Sequence, residues 1–73
     1  MARSTVRTEI TGKVWKVTAV PGQALAEDDP IVILESMKME IPVPAPVPCK
    51  LVEIVVSQGD AVTEGDIIAH IES

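Results

Sequence analysis

The chain repeats itself, and the repeat limits the folds open to it. Shifted by 37 residues, segment 12–36 aligns with segment 49–73 without a gap. Lys13/Lys50, Gly22/Gly59, Ala24/Ala61, Glu27/Glu64, Asp29/Asp66, Glu35/Glu72 and Ser36/Ser73 are then identical pairs, and Val17/Ile54 and Leu34/Ile71 stay apolar in both copies. Neither copy is large enough to bury a core alone. Two copies packed face to face about a pseudo-two-fold axis would bury both apolar faces. With 73 residues there is room for one domain and none for a deep cleft between two lobes. Residues 1–73 are therefore expected to form a single domain with repeat halves of about 12–36 and 49–73.

The apolar runs are short and β-branched: Val14 to Val17, Ile31 to Leu34, Leu51 to Val56 and Ile67 to Ile71. Gly, Pro or Asp clusters bound each run, which reads as strands joined by turns. No proline-free stretch of helical length carries apolar residues at spacings of 3 and 4, so the class is all-β. Side chains alternate across a strand. Charged Lys16 and Glu53 should point outward, placing Trp15, Val17, Val52 and Ile54 inside. Outward Glu35 and Glu72 place Val32, Leu34, Ala69 and Ile71 inside and make His70 a solvated surface residue.

Between the copies lies IPVPAPVPC, with prolines at 42, 44, 46 and 48. Prolines two apart remove N–H groups from one edge of an extended strand and leave the other edge able to pair. The segment therefore reads as an edge strand or extended connector. A flexible linker between two domains does not fit, since neither side could stand alone.

The charge balance excludes whole classes of partner. Eleven acidic against six basic residues give a net charge of −5 and a pI of about 4.6, the opposite of a phosphate-binding surface. One Trp with no Tyr or Phe offers no stacking platform for single strands. Nucleic acid is not an expected partner. No apolar run approaches membrane-spanning length, so no membrane association is expected either. The single Cys49 cannot form an internal disulfide. The opening MARSTVRTEI lacks the apolar stretch of a signal peptide, and a cytoplasmic location is expected.

The informative departure from the repeat is Met37-Lys38-Met39-Glu40, which follows the Glu35-Ser36 that ends the first copy. Strands over 31–36 and 39–44 would be joined there by a tight hairpin with Met37 and Lys38 near its tip. Such tips normally use Asn, Asp or Gly, which tolerate positive φ. A plain structural reading has a solvent-facing lysine with its methionines tucked into the core. The alternative is a lysine held out for modification, because a local rule broken at a loop tip suggests function.

The run Glu35-Ser36-Met37-Lys38-Met39-Glu40 resembles the biotin-attachment motif of biotin carboxyl carrier proteins and biotinyl domains, in which a lysine sits between two methionines at a β-turn. The resemblance covers nearly the whole chain. Gly22, Gly59-Asp60, Glu64-Gly65-Asp66 and Ala45-Pro46 match the turn and connector positions of the biotinyl/lipoyl carrier family, small stand-alone biotin/lipoyl attachment proteins most of all. It implies a hammerhead-type flattened barrel or sandwich of two four-stranded antiparallel sheets, with Lys38 at the end opposite both termini. Two positions depart from the family: Asp28 and Cys49 stand where glycine is usual. Asp tolerates left-handed geometry. Cys49 is expected to be a small, partly buried hydrophobe rather than a reactive thiol.

The resemblance further implies a non-catalytic cofactor carrier in a biotin-dependent carboxylase. A biotin protein ligase would join biotin through an amide to Lys38, with Met37, Met39 and Glu35 read by the ligase or another partner. The arm would carry carboxybiotin between biotin carboxylase and carboxyltransferase sites. An exposed lysine is an ammonium at neutral pH and a poor nucleophile, so the chain is not expected to modify itself. No catalytic residue and no metal ligand is assigned, and the acidic residues are read mainly as solvated faces. Three alternatives stand beside this reading. One is a lipoyl carrier or dual acceptor, which shares the fold but usually flanks its lysine with Asp and a small residue. Another is an unmodified interaction module. The last is a hydrolase using His70 or Cys49, for which no base and orienting partner accompany either residue.

Overall fold

A computed structural model describes residues 2–73. It contains eight strands: β1 (Arg3–Arg7), β2 (Gly12–Val17), β3 (Ala24–Leu25), β4 (Pro30–Ser36), β5 (Met39–Pro44), β6 (Cys49–Ile54), β7 (Ala61–Val62) and β8 (Ile67–Glu72). They form two open, four-stranded antiparallel sheets, ordered β1-β8-β6-β3 and β5-β4-β2-β7. The all-β class expected from the strand pattern and the pair of four-stranded sheets implied by the family resemblance are both present, as an open sandwich.

The repeat governs the pairing. Lys13↔Glu35, Val14↔Leu34, Lys16↔Ile33 and Val17↔Val32 recur 37 positions later as Lys50↔Glu72, Leu51↔Ile71, Glu53↔His70 and Ile54↔Ala69. The short strands are exchanged between halves: β7 pairs with β2, and β3 pairs with β6. Each half therefore completes the other's sheet, which is why neither could persist alone.

The structural repeat is longer than the sequence repeat. Strand β1 pairs with β8 in the register that β5 adopts on β4, so that Arg3↔Glu72 matches Glu40↔Glu35 and Val6↔Ala69 matches Val43↔Val32. Beyond β1, Thr8 N–H donates to the Asp66 carbonyl (3.0 Å) and Gly65 N–H to the Thr8 carbonyl (2.8 Å). Ala45 N–H to Asp29 (2.8 Å) and Asp28 N–H to Ala45 (2.9 Å) are the equivalent bonds. Strand β5 lies at a sheet edge, as its prolines require.

Parity holds at four of the positions assigned to the interior: Val32, Leu34, Ala69 and Ile71 are fully buried. Val17 and Ile54 are half-buried and packed against the core. Trp15 and Val52 are corrections. The register shifts between Val14 and Lys16, and again between Leu51 and Glu53, so each of these strands carries one extra residue. A bulge flips the alternation. Val14 and Leu51 occupy the core instead, Trp15 is 44% exposed and Val52 is half-buried. The core is aliphatic, with Ile31 and its repeat mate Ile68 both wholly buried.

Three acidic residues do more than solvate the surface. Asp29, Asp60 and Asp66 each accept a hydrogen bond from the backbone N–H three residues earlier, at 3.0, 2.9 and 2.8 Å. Gln23 does the same for Val20 at 3.1 Å. These four turns contain Asp28, Gly59, Gly65 and Gly22 at positive φ. Asp28 adopts φ 73°, so this departure from glycine is accommodated, as its side chain allows.

Candidate functional site

Strands β4 and β5 pair through Glu35↔Glu40 and Ser36↔Met39, leaving Met37 and Lys38 as a two-residue tip. Both lie in the left-handed region, at φ 52° and 66°. Positive φ at both central positions is the type I′ pattern, whose twist matches the flanking strands and which favours Asn-Gly. Neither Met nor Lys eases that backbone. Nor do the methionines tuck into the core: Met37 is 92% exposed and Met39 61%. Lys38 is exposed between them. The tip thus presents an amine and two bare thioethers to solvent, on a hairpin paired up to Ser36 and Met39.

The charge around the tip differs from that at its repeat mate. On the first half, Glu35 stands in register between Lys13 and Glu40. On the second, Glu72 stands between Lys50 and Arg3. Glu40 therefore replaces a cation with an anion, and the hairpin end presents two neighbouring carboxylates. The sequence alignment began at Gly12 and did not reach the Arg3/Glu40 pair.

The structure brings Glu35, Met37, Lys38 and Met39 to one hairpin and leaves His70 and Cys49 on the other sheet. His70 is half-buried, with its Nδ1 3.4 Å from Thr5 Oγ1. Cys49 is half-buried against the core, and burial pushes its thiol above the ordinary range, the direction opposite to that of an activated thiol. Its mate Gly12 has no room for a side chain. A Cβ there would lie 2.6 Å from the Glu35 carbonyl oxygen, so β2 runs hard against the strand leading into the hairpin.

Sequence reasoning missed a cleft beside the hairpin. Outward-turned Trp15 lines it with Lys13, Val14, Glu35, Gln58 and Gly59, enclosing about 210 Å³. The bulge is what puts the indole there, and strict alternation hid it.

Two open four-stranded sheets with a projecting hairpin are the architecture of a cofactor-carrier domain, a kind that is non-catalytic. The chain belongs to the Biotin_lipoyl family, described as biotin-requiring enzyme, which matches residues 3–71. It is 46% identical over 66 residues to the Mycobacterium leprae biotinylated protein TB7.3 homolog, covering 90% of this chain and 93% of that one. It is 36% identical over 69 residues to the Bacillus subtilis biotin/lipoyl attachment protein, covering 94% of each. The crystal structure of the Kluyveromyces lactis urea carboxylase contains the same fold, with a TM-score of 0.91 and 34% identity over 97% of this chain and 6% of that one. Among the described residues no helix is long and apolar enough to cross a membrane.

Proposed function

We propose that residues 1–73 act as one biotin carrier unit whose acceptor is the Lys38 amine. The observation that carries this reading is the pair of positive φ values at Met37 and Lys38, on a tip whose methionines stay in water. A hairpin free of other duties would relax by taking Asn and Gly. The residues present fit the group, since an exposed amine on a projecting turn can accept an acyl chain without disturbing the core.

Lys38 loses a proton and its Nζ attacks the acyl carbonyl of an adenylate supplied by a biotin protein ligase. An amide C–N bond forms, the acyl C–O bond of the mixed anhydride breaks, and AMP leaves with the electron pair. Met37 and Met39 offer the ligase an apolar grip, and Glu35 with Glu40 offers charge to a basic surface. Once bound, biotin supplies a ureido nitrogen that can take up and return a carboxyl group. The chain contributes tethering: its arm visits biotin carboxylase and carboxyltransferase sites at a concentration set by the tether rather than by bulk supply. Both partners and the ligase are cytoplasmic in this reading.

Co-expression with a biotin protein ligase, followed by a streptavidin blot, tests the acceptor. The wild-type chain should blot, and Lys38→Arg should not, with folding unchanged by circular dichroism. A blot from the arginine variant would assign the wrong lysine. Lipoate is the second reading, favoured by the likeness to a relative named for both cofactors. Met37 and Met39 favour biotin. Co-expression with a lipoate ligase that yields a lipoyl adduct, with no biotinyl adduct from the biotin ligase, would reverse the choice.

A further inference from the structure

The repeat supplies its own control for the cleft beside the hairpin. Lys13, Glu35 and Gly59 recur as Lys50, Glu72 and Gly22, and buried Val14 recurs as buried Leu51. The other two lining positions change character. Trp15 stands where the second copy has Val52, and Gln58 stands where the first copy has Pro21. Both changes fall in the cleft at the Lys38 end, which the two halves build together, and both give a side chain suited to holding a ligand. Trp15 is also the chain's sole aromatic residue, spent on a surface rather than in the core.

We infer that this cleft is a resting dock for the ring of the biotin carried on Lys38, which deepens and rests on the reading of Lys38 as the acceptor. The chemistry of the walls matches the ring. Its two ureido N–H groups find acceptors in the Glu35 carboxylate and the Gln58 side-chain oxygen. Its ureido oxygen finds donors in the Lys13 ammonium and the Gln58 amide. Its thioether ring meets the indole, a contact that sulfur and aromatic rings favour. Reach is sufficient: Glu35 lies three residues from Lys38, a span of about 10 Å at most, and a lysyl side chain extended by a five-carbon acyl chain is longer than that. Docking would shelter the ring between visits to partner sites.

Trp15 provides the test, because it is the only indole in the chain. Unmodified and fully biotinylated protein, each verified by intact mass, are compared by acrylamide quenching of tryptophan emission. A ring laid against a side chain that is 44% exposed covers roughly half of what the quencher reaches. Biotinylation should therefore lower the quenching constant by about two-fold and move the emission to shorter wavelength. Gln58→Pro places at this turn the residue that the other copy already carries. It should keep the adduct and lose most of the protection. Equal quenching of the two forms would overturn the dock and leave Lys38 as the acceptor. Undiminished protection in Gln58→Pro would overturn the cleft as its location. Failure to find an adduct on Lys38 would overturn both readings.

Discussion

Ala2 and Ser73 exchange two backbone hydrogen bonds, 2.8 and 2.9 Å long, at the place where Met39 and Ser36 pair in the other half of the molecule. The pseudo-two-fold axis thus maps a pair of unlinked residues onto the base of the Lys38 hairpin. What distinguishes the two ends is the two-residue tip. A type I′ tip is a standard closure for such a pair. Joining Ser73 to Ala2 through Asn-Gly should give a cyclic protein with the same fold. Its unfolding free energy should rise by about 2–4 kcal/mol, because the unfolded chain loses entropy on closure. Urea denaturation measures this, and a cyclic form no more stable than the linear one would contradict the pairing.

The hairpin tip trades stability for its lysine. The double variant Met37→Asn with Lys38→Gly relieves two positive-φ positions and should stabilise the fold by about 1–2 kcal/mol. It should also abolish modification. Denaturant midpoints and a streptavidin blot read the two effects on the same samples.

Gly12 is held by a close approach. In Gly12→Ala the new Cβ would meet the Glu35 carbonyl oxygen at 2.6 Å, with the Ser36 Cβ 3.4 Å away. Backbone must shift, at a cost of about 1–3 kcal/mol. Cys49→Ala, at the equivalent position, removes only a half-buried sulfur and should cost less than about 1 kcal/mol. Equal losses in the two variants would show that the halves are packed alike here.

Cys49 should behave as a half-buried thiol shielded by the core. Labelling by a disulfide reagent should be about ten-fold slower in native than in denatured protein. The pH dependence follows from burial, which raises the folded thiol above its ordinary 9.0. The folded state then holds a proton that the unfolded state releases first. This contribution to stability is complete below 9.0 and fades as pH rises through the raised value. Cys49→Ala should flatten the alkaline limb of a stability profile relative to wild type, and superimposable limbs would contradict it.

How much of this was legible in the sequence depends on what each residue had to satisfy. The long strands of both halves and the edge role of the proline segment followed from residue types with strong backbone demands, whereas the hairpin at Met37-Lys38 followed only from the strand runs on either side of it. Trp15 was misplaced because period-two alternation cannot register a bulge, and the matching bulge at Val52 repeated the error in the second copy. The β1/β5 equivalence was hidden because edge strands share register without sharing side chains: Arg3, Thr5 and Arg7 correspond to Glu40, Pro42 and Pro44. Val6 and Val43 alone keep the match there, since only they are buried. Around the site the methionines were conspicuous in sequence. The Trp15 cleft needed coordinates, because it joins three segments distant along the chain.

Peptide-level mass spectrometry of protein isolated from its native cells reads directly whether Lys38 accepts biotin. The peptide containing Lys38 should carry an increment of one biotinyl group, with Lys13, Lys16 and Lys50 unmodified. A biotinyl group on any of those three instead, or a Lys38 peptide that is wholly unmodified, would contradict it.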